Sequence, residues 1–247
     1  MATSDSEDQV ILRPGAPEDA EQLRVIYTAA TEALPWHPDE HRSDDEVREW
    51  LATWPAEAGF ETWVAESNGE TLGFATLRGD WLMLLFVHPH RHAPGVGAAL
   101  LDLVKATRPD GFGLRVFEAN ARARDFYRRH GLVELEHTDG SAYPDELPDL
   151  RMAWMGENPL AYLRRCIDDV DAELAVLLAR RFAYTAQVQA HKDRHGSGGH
   201  AGRDRDRERA IVERMSRHAP GLGPERLSPI MDTVIRESLT AWENTTR

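Results

Sequence analysis

Two different patterns of hydrophobic and polar positions divide this chain, and the change falls at Pro159. Before it, short runs with a two-residue period predict strands, and longer runs with three- and four-residue spacing predict helices. The predicted strands are residues 10–13, 62–66, 71–77, 81–87, 113–117, 132–137 and 150–154. The predicted helices are residues 18–33, 44–52, 97–107 and 121–130. Strands and helices in this order indicate a mixed α/β domain.

From Pro159 onward the apolar residues instead follow a helical seam. They step by three and four residues, and the seam contains Leu160, Leu163, Ile167, Val170, Leu174 and Leu177, continuing through Arg181, Tyr184 and Val188. No Gly or Pro interrupts residues 160–194. This predicts one helix of about 35 residues, roughly 50 Å long.

Such a helix is too long for the domain that contains it. A compact domain of the remaining size has a radius of gyration of only about 12 Å. Two shorter predicted helices follow, at about 204–218 and 224–242, and they are too short to cover the whole seam. We therefore expect an intertwined homodimer formed through the C-terminal helices.

The length of 247 residues suits two domains, which we place at residues 1–156 and 157–247. Hydrophobic residues make up 41% of the chain and charged residues 29%, which favours folded domains over disorder. No apolar run approaches the roughly 18 residues of a membrane span, and the acidic, Ser-rich start is unlike a signal peptide. We expect a cytoplasmic protein that does not bind membranes.

Metal chemistry is not expected. Cys166 is the only cysteine, which excludes disulfides within the chain and metal sites built from cysteines. His88, His90 and His92 alternate beside a proline, a pattern more typical of a loop than of a ligand set.

Charge is distributed unevenly between the two parts. The net charge is −13, but residues 1–156 hold 14 Lys and Arg against 28 Asp and Glu, a net charge of −14. Residues 157–247 hold 15 against 14, a net charge of +1. An acidic first part argues against nucleic acid as a partner, and the arginines of the second part suit a small anionic ligand.

The first motif with chemical content is residues 84–104, LLFVHPHRHAPGVGAALLDLV. It places a predicted strand, a turn containing Gly95 and Gly97, and a helix start in succession. Backbone amides at such a helix start can bind a pyrophosphate, although an ordinary helix entry has the same pattern. A second motif, RVFEANARARDFYRRHGL, covers residues 115–132.

Together these motifs resemble the GNAT superfamily of acyl-CoA-dependent N-acetyltransferases, over residues 9–155. The resemblance implies acetyl-CoA as co-substrate, with the pantetheine arm on the backbone of Leu85 and Val87. It implies that the pyrophosphate meets the loop formed by His92, Gly95, Val96, Gly97 and Ala98, that Asn120 lines the CoA channel, and that Tyr127 is the general acid for the CoA thiolate. His92 stands where the family has Arg or Gln, and Pro94 has no N–H to donate.

Several interpretations of the first part of the chain remain open. Tyr127 shares a helix face with Ala123 and Phe126, so core packing is the alternative to an acid role. Asp80, His88 and Glu118 are all candidates for the general base. A domain that binds CoA without catalysis is the alternative to an enzyme, and the acceptor amine is not identified.

In the second part, cations fall on a helical seam. Arg181 occupies a position reserved for apolar residues, and an unpaired buried guanidinium costs several kcal/mol, so it must meet an anion. Lys192 returns to within about 20° of the same face, whereas Arg164 lies about 100° away and points toward a partner chain. Asp204, Arg207 and Glu208 share one side of the next helix. A solvated helix start is the alternative for that last group.

The segments ENPLAYLRRCIDDVDAELAVLLARR, RDRDRER and IRESLTAW, with Lys192 between the first two, resemble the all-helical class of chorismate mutase. The resemblance covers nearly all of residues 157–247 and implies an intertwined dimer of three-helix subunits. The implied substrate contacts are Arg164 of the partner chain, Arg181, Lys192, Asp204, Arg207, Glu208 and Ser238. The reaction is a Claisen rearrangement, which needs conformer selection and charge stabilisation on the ether oxygen but no nucleophile.

We therefore expect a bifunctional enzyme that acts on chorismate and on acetyl-CoA, with the mutase in aromatic amino acid biosynthesis. The family has Gln or Glu one turn after the Ser, and here that position is Trp242. Two alternatives follow. The substrate is 4-amino-4-deoxychorismate, or the helical part is a non-catalytic dimer that senses an aromatic metabolite and regulates the acyltransferase.

Overall fold

The computed structural model describes residues 9–34, 43–53, 59–91, 94–140, 147–195, 204–219 and 221–245. The chain divides into two compact units, Met1–Arg164 and Arg165–Arg247. The division falls inside a single helix. The domain boundary expected between residues 156 and 157 stays a prediction.

The first unit is built on one mixed sheet. Its strands are β1 (Ile11–Pro14), β2 (Phe60–Ser67), β3 (Glu70–Arg78), β4 (Trp81–Val87), β5 (Phe112–Phe117), β6 (Val133–Thr138) and β7 (Asp149–Trp154). Its helices are α1 (Ala20–Glu32), preceded by a 3-10 turn at Pro17–Asp19, then α2 (Asp44–Thr53), α3 (Val96–Thr107) and α4 (Ala121–Arg129). The strand order is β1-β2-β3-β4-β5-β7-β6, and only β4 and β5 pair in parallel among the described strands.

Local signals in the sequence explain where these elements begin and end. Asn68 and Gly69 both have positive φ, 53° and 78°, as a two-residue hairpin turn between β2 and β3 requires. Ser43 and Glu46 form a capping box at the start of α2, since the Ser43 N–H donates to Oε2 of Glu46 at 2.8 Å. Gly131, with a φ of 81°, ends α4. The predicted strands and helices of this unit are thus confirmed to within two residues.

Helices cover the sheet on its two faces. On one, here called the α3 face, α3 and α4 enclose a core that includes Leu100, Tyr127, Leu114 and Met152. On the other, the α1 face, α1 and α2 enclose a smaller core. Its buried side chains are Leu23, Ile26, Val47, Leu51, Val64 and Phe74. Because side chains alternate along a strand, β2 contributes Ala65 to the first core and Val64 to the second, and β3 contributes Ala75 to the first and Phe74 to the second.

The sheet opens between β4 and β5. These strands pair only at Trp81 with Gly113 and Leu82 with Leu114, although β4 continues to Val87 and β5 to Phe117. At the closed end, a Cβ on Gly113 would lie 2.5 Å from the Trp81 ring, so glycine is required there. Beyond Leu82 the two strands diverge and leave a space between them, here called the gap. One edge of β4 faces this gap.

The second unit is helical. It comprises α5 (Pro159–Arg194), which begins in the first unit, α6 (Arg205–His218) and α7 (Gly223–Thr245). The single long helix predicted from residue 160 is confirmed, with 36 residues. On α7 the buried side chains are Leu227, Met231, Ile235 and Ser238, which recur every three or four residues.

The apolar seam of α5 is largely exposed in the single chain. The side chains concerned are Leu160, Leu163, Ile167, Val170, Leu174, Leu177, Tyr184 and Val188, each at least 36% exposed. Among the described residues, no helix is long and apolar enough to cross a membrane. Over the same residues, no group of three or more His, Cys, Asp or Glu could hold a metal ion.

Candidate active sites

Two backbone positions of β4 face the gap. The His88 N–H donates to the Leu72 carbonyl at 2.8 Å, so His88 directs its backbone groups toward β3. The polar groups of successive strand residues point to opposite edges. Leu85 and Val87 lie in the alternate register and direct their N–H and C=O groups to the gap, where β5 is no longer paired with them. An extended chain inserted in the gap could form hydrogen bonds with these N–H and C=O groups.

The start of α3 offers backbone amides. Gly95 adopts a left-handed φ of 87° at the N-cap, and the amides of Val96, Gly97 and Ala98 follow in the first turn, where no intrahelical acceptor exists. A Cβ on Gly97 would lie 3.5 Å from Val87 and 3.6 Å from Phe126, in ordinary contact. This geometry suits an anion such as a phosphate. Pro94 is exposed, and His92 lies outside the described residues.

On α4, Asn120 and Tyr127 have defined roles in the fold. Asn120 is the N-cap, and its Oδ1 accepts from the Ala123 N–H at 3.0 Å. Tyr127 is 8% exposed, and its ring lies 5.3 Å from that of Phe126, within the core of the α3 face. Burial raises the pKa of the Tyr127 phenol above its ordinary value. Tyr127 therefore packs in the core and keeps its proton at neutral pH.

The three base candidates occupy different ends of the gap. Asp80 is at the closed end, where its carbonyl accepts from the Gly113 N–H at 3.0 Å. His88 and Glu118 follow the last residues of β4 and β5, at the open end. Burial, assisted by Arg91, lowers the pKa of His88, which favours the neutral imidazole. The position of Asp80 argues against it as the base.

In the second unit, two predicted site residues are bonded to each other. Nη1 of Arg181 donates to Oγ of Ser238 at 3.3 Å, joining α5 to α7. Ser238 is 3% exposed and donates its own proton to the Ile235 carbonyl at 2.9 Å. Burial lowers the pKa of the Arg181 guanidinium, and no described carboxylate forms an ion pair with it. The result is a partly desolvated cation with no counterion among the described residues, which favours binding an anion.

Further polar groups share this face of α5. Lys192 is half-buried eleven residues after Arg181, about 20° around the helix. Gln189 is 8% exposed and lies about 80° from Arg181 by the same rule. The sequence analysis missed Gln189, because a glutamine among polar residues at a helix end carries no signal unless its burial is known.

The remaining predicted residues of this part lie on α6 and α7. Asp204 is the N-cap of α6, and its Oδ1 accepts from the Arg207 N–H at 2.9 Å. Arg207 is exposed and Glu208 half-buried. Trp242 is half-buried one turn after Ser238. The structure thus brings Arg181 together with Ser238, and Asp204 with Arg207, whereas the loop at residues 196–202 lies outside the described residues.

Arg164 is distant from Arg181 of its own chain. It is exposed and precedes Arg181 by 17 residues on α5, which is about 26 Å at 1.5 Å per residue. An arginine side chain does not bridge that distance. Arg164 can therefore contact a ligand at Arg181 only if the ligand lies in another copy of the chain.

Comparisons with known proteins agree with both units. Residues 58–134 match the family Acetyltransferase (GNAT) domain, and residues 163–241 match the family Chorismate mutase type II. The Peptidyl-lysine N-acetyltransferase YiaC of Escherichia coli is 34% identical over 100 residues, 39% of this chain and 65% of that protein. The Peptidyl-lysine N-acetyltransferase YjaB of the same organism is 26% identical over 151 residues, 60% of this chain and 98% of that protein.

The solution structure of apo-form YjaB from Escherichia coli shows the same fold for the first unit. Its TM-score is 0.50 at 24% identity, and the match covers 60% of this chain and 99% of that one. The predicted fold class is confirmed, a GNAT-like mixed sheet followed by a helical mutase region. Both matched families are families of enzymes, as expected. The chain therefore joins an N-terminal acetyltransferase domain of the GNAT family to a C-terminal chorismate mutase domain of type II.

Proposed function

We propose that the protein is a bifunctional enzyme. Its first unit transfers an acetyl group from acetyl-CoA to an amine, and its second unit rearranges chorismate to prephenate. Each of the two proposed activities rests on one structural observation. For the transferase it is the gap between β4 and β5, with the helix start of α3 bordering it. For the mutase it is the desolvated Arg181 bonded to Ser238.

In the transferase, acetyl-CoA supplies the acetyl group as a thioester. The backbone of Leu85 and Val87 holds the pantetheine arm as an added strand, and the amides of Gly95, Val96, Gly97 and Ala98 receive the pyrophosphate. His92 is a further proposed contact of the pyrophosphate. The carboxamide nitrogen of Asn120 lines the channel, because its oxygen already caps α4. Pro94 removes one donor from the loop, which predicts a weaker hold on the pyrophosphate than a loop with every amide present.

Tyr127 acts as the general acid. The neutral amine attacks the thioester carbonyl and forms the C–N bond, and the proton that its nitrogen loses passes to a base at the open end of the gap, for which His88 and Glu118 are the candidates. When the C–S bond breaks, the electron pair goes to sulfur, and the phenol delivers a proton to the thiolate. The raised pKa of Tyr127 keeps that proton in place in the resting enzyme. The relatives are named peptidyl-lysine N-acetyltransferases, which makes a lysine side chain one acceptor to test.

In the mutase, positively charged side chains bind the substrate and stabilise the transition state. Arg181 and Lys192 bind the carboxylates of chorismate and offset the negative charge that grows on the ether oxygen. Ser238 contacts the ring carboxylate, Asp204 and Glu208 lie around the ring hydroxyl, and Arg207 supplies a further cationic contact. The binding free energy holds the chair-like conformer in which the rearrangement occurs.

Trp242 stands where the family has an amide or carboxyl donor to the ether oxygen. Gln189 is a buried carboxamide on the same face of α5 as Lys192, so it can supply a hydrogen bond in place of that amide or carboxyl donor. A mutase with this substitution is expected to be slower, or to accept a modified ring. The indole N–H of Trp242 also remains a donor.

The mutase half works as a homodimer. A second copy covers the exposed seam of α5, for which burial of each large apolar side chain contributes about 1.5–3 kcal/mol. The same arrangement brings the partner's Arg164 to the Arg181 site. A closed two-fold dimer then has two equivalent sites, each made from both chains.

The transferase is tested by isothermal calorimetry with acetyl-CoA and by release of free thiol in the presence of amines. Saturable binding and thiol release are expected. Failure of acetyl-CoA to bind would reject the transferase, and binding without turnover of any amine would favour a CoA-binding domain that has lost catalysis.

The mutase is tested by incubating the protein with chorismate and, separately, with 4-amino-4-deoxychorismate. Formation of prephenate is the expected result. Turnover of the amino analogue alone would change the substrate assignment. Tight binding of prephenate or an aromatic amino acid, without turnover of either substrate, would indicate a sensor that regulates the transferase.

A further inference from the structure

The long helix α5 starts inside the first unit. It begins at Pro159, and the division between the two units falls after Arg164. Arg164, the cation assigned above to the partner's mutase site, is therefore the last residue of the first unit. The first turn of a helix frays when it stands alone, because its N–H groups have no intrahelical acceptors. A cation carried so near a helix end needs support from outside the helix to stay in one place.

Hydrogen bonds fasten this end of α5 to the first unit. The Glu157 N–H donates to the Pro109 carbonyl at 3.2 Å, which ties the chain to the turn after α3. Oδ1 of Asn158 accepts from the Ala161 N–H at 3.1 Å, so Asn158 caps the helix. Both the approach to the helix and its first turn are thus held.

Tyr162 anchors the same end of the helix by packing. It is 2% exposed. A Cβ on Gly111 would lie 2.6 Å from the Tyr162 ring and 2.7 Å from the Trp154 carbonyl, so the ring packs directly on the Gly111 backbone. Gly111 also has a left-handed φ of 101°, which favours glycine. The contact lies at the amino end of β5, at the opposite end of that strand from the open gap.

Burial distinguishes Tyr162 from nearly all other residues of α5. The helix is described over its whole length, and only Tyr162 and Gln189 are buried in the single chain. Arg164 follows Tyr162 by two residues, which is about 200° around the helix. The ring is therefore held by the first unit, while the guanidinium on the opposite side is exposed. This arrangement fixes the helix turn and leaves the cation open to a ligand.

We propose that the transferase unit positions Arg164 for the mutase site of the partner chain, and that Tyr162 is the positioning residue. The packing of Tyr162 on Gly111 holds the turn that carries Arg164, so less order must be gained when a ligand binds. The ligand is the small dicarboxylate proposed for the mutase, and the proposal rests on that activity. The mutase then depends on a contact that belongs to the transferase fold.

Tyr162→Leu in the full chain tests the anchor. The KM for chorismate rises about tenfold, because Arg164 is then in place only about a tenth of the time and the apparent affinity falls by that fraction. The kcat stays within about twofold, since saturating chorismate restores the order of the turn. Tyr162→Phe is the matched control: it keeps the ring on Gly111, and both constants stay within about twofold of wild type.

A second variant disturbs the same contact from the transferase side. In Gly111→Ala the new Cβ meets the Tyr162 ring, and the KM for chorismate rises as in Tyr162→Leu, although residue 111 lies outside the mutase helices. Gly131→Ala is the matched control, since Gly131 also has a positive φ, 81°, but a Cβ there meets nothing within 4 Å. Its KM for chorismate does not change. Thermal unfolding and light scattering verify that each variant keeps its fold and its oligomeric state.

Calorimetry with prephenate tests whether Tyr162 acts through Arg164. Tyr162→Leu weakens the binding of prephenate about tenfold when Arg164 is present. In an Arg164→Ala background the same substitution leaves the Kd for prephenate unchanged, because the group that it positions is gone. A further loss of affinity in that background would show that Tyr162 acts by another route and would overturn the proposal.

The remaining outcomes separate this proposal from the mutase itself. A raised KM with a nearly unchanged kcat, in both Tyr162→Leu and Gly111→Ala, supports the positioning role. A lower kcat at an unchanged KM means fewer folded sites and overturns that role, as does wild-type behaviour of both variants, and the mutase stands in either case. Absence of chorismate turnover by the wild type overturns the mutase and this proposal together.

Discussion

Tyr127 is buried and Arg181 is partly buried, and burial acts on the pKa values of the two side chains in opposite senses. For Tyr127 it disfavours the anion, so the phenol stays neutral and holds its proton. For Arg181 it disfavours the cation, yet a guanidinium does not lose its proton at physiological pH. The arginine therefore remains charged in an unfavourable place, and an anionic ligand relieves that cost.

Replacement of Arg181 is expected to separate activity from stability. In Arg181→Met, kcat/KM for chorismate falls at least about 100-fold, as for loss of one preorganised donor. The melting temperature does not fall, because an uncompensated desolvated charge is replaced by an apolar chain of similar length. Arg180→Met is the control, since Arg180 is exposed and one residue away. Prephenate formation at the normal rate in Arg181→Met would contradict the assignment.

Tyr127→Phe is expected to affect catalysis while preserving the core. The ring contact with Phe126 is retained, and kcat for acetyl transfer falls about 10²- to 10⁴-fold because the proton donor is lost. Calorimetry gives an unchanged Kd for acetyl-CoA. Since the pKa of Tyr127 is raised, the wild-type kcat does not decline with loss of this proton up to about pH 10. A rate equal to wild type in Tyr127→Phe would leave only the packing role.

At the scale of elements, nearly every helix and strand of the described residues was predictable, because its signals are local. Asn68-Gly69, Gly131 and the Ser43 cap act on the residues beside them. The gap was not predictable, since it depends on where β4 stops pairing with β5, about 30 residues along the chain. Gln189 was missed for the same reason, because its burial arises from contacts between distant elements.

One ion pair joins β1 to the start of α1. Nη1 and Nη2 of Arg13 donate to the two carboxylate oxygens of Asp19 at 2.8 and 2.7 Å, and the Ala16 N–H donates to Oδ2 at 2.8 Å. The Arg13 hydrogen bonds hold the pKa of Asp19 below its ordinary value of 3.8. The pair therefore stabilises the folded state above that pH, and the stabilisation is lost as the pH falls through the lowered pKa.

In Asp19→Asn, the free energy of unfolding at neutral pH is expected to fall by about 1–2 kcal/mol, allowing for the partial exposure of Arg13. The difference from wild type narrows as the pH falls below 3.8, which urea unfolding at several pH values measures. Glu21→Gln is the control: Arg24 also lowers the pKa of Glu21, but that carboxylate is exposed. A difference from wild type that does not change with pH would contradict this account.

At the scale of the whole molecule, the exposed seam of α5 and the distance between Arg164 and Arg181 have one common explanation. Eight large side chains are left open to solvent in a single chain, and one cation lies too far from its expected site. The homodimer proposed above would account for both, because a second copy would cover the apolar side chains and supply the missing arginine.

Mixing two inactive variants tests the shared site. Arg164→Ala and Arg181→Ala each abolish chorismate turnover alone. When the two are denatured, mixed in equal amounts and refolded together, half of the dimers are mixed, and each mixed dimer has one intact site of two. The expected activity is about a quarter of wild type. No recovery, with dimers present by light scattering, would place Arg164 outside the partner's site.

The first turns of α5 decide where the gene can be divided. Tyr162 is 2% exposed, a Cβ on Gly111 would lie 2.6 Å from its ring, and the Glu157 N–H donates to the Pro109 carbonyl at 3.2 Å. A transferase fragment that stops at residue 156 lacks both groups and uncovers apolar surface around Gly111. A fragment that ends at Arg164 keeps them, so the piece to clone for study of the transferase alone must take with it the first turn and a half of the mutase helix.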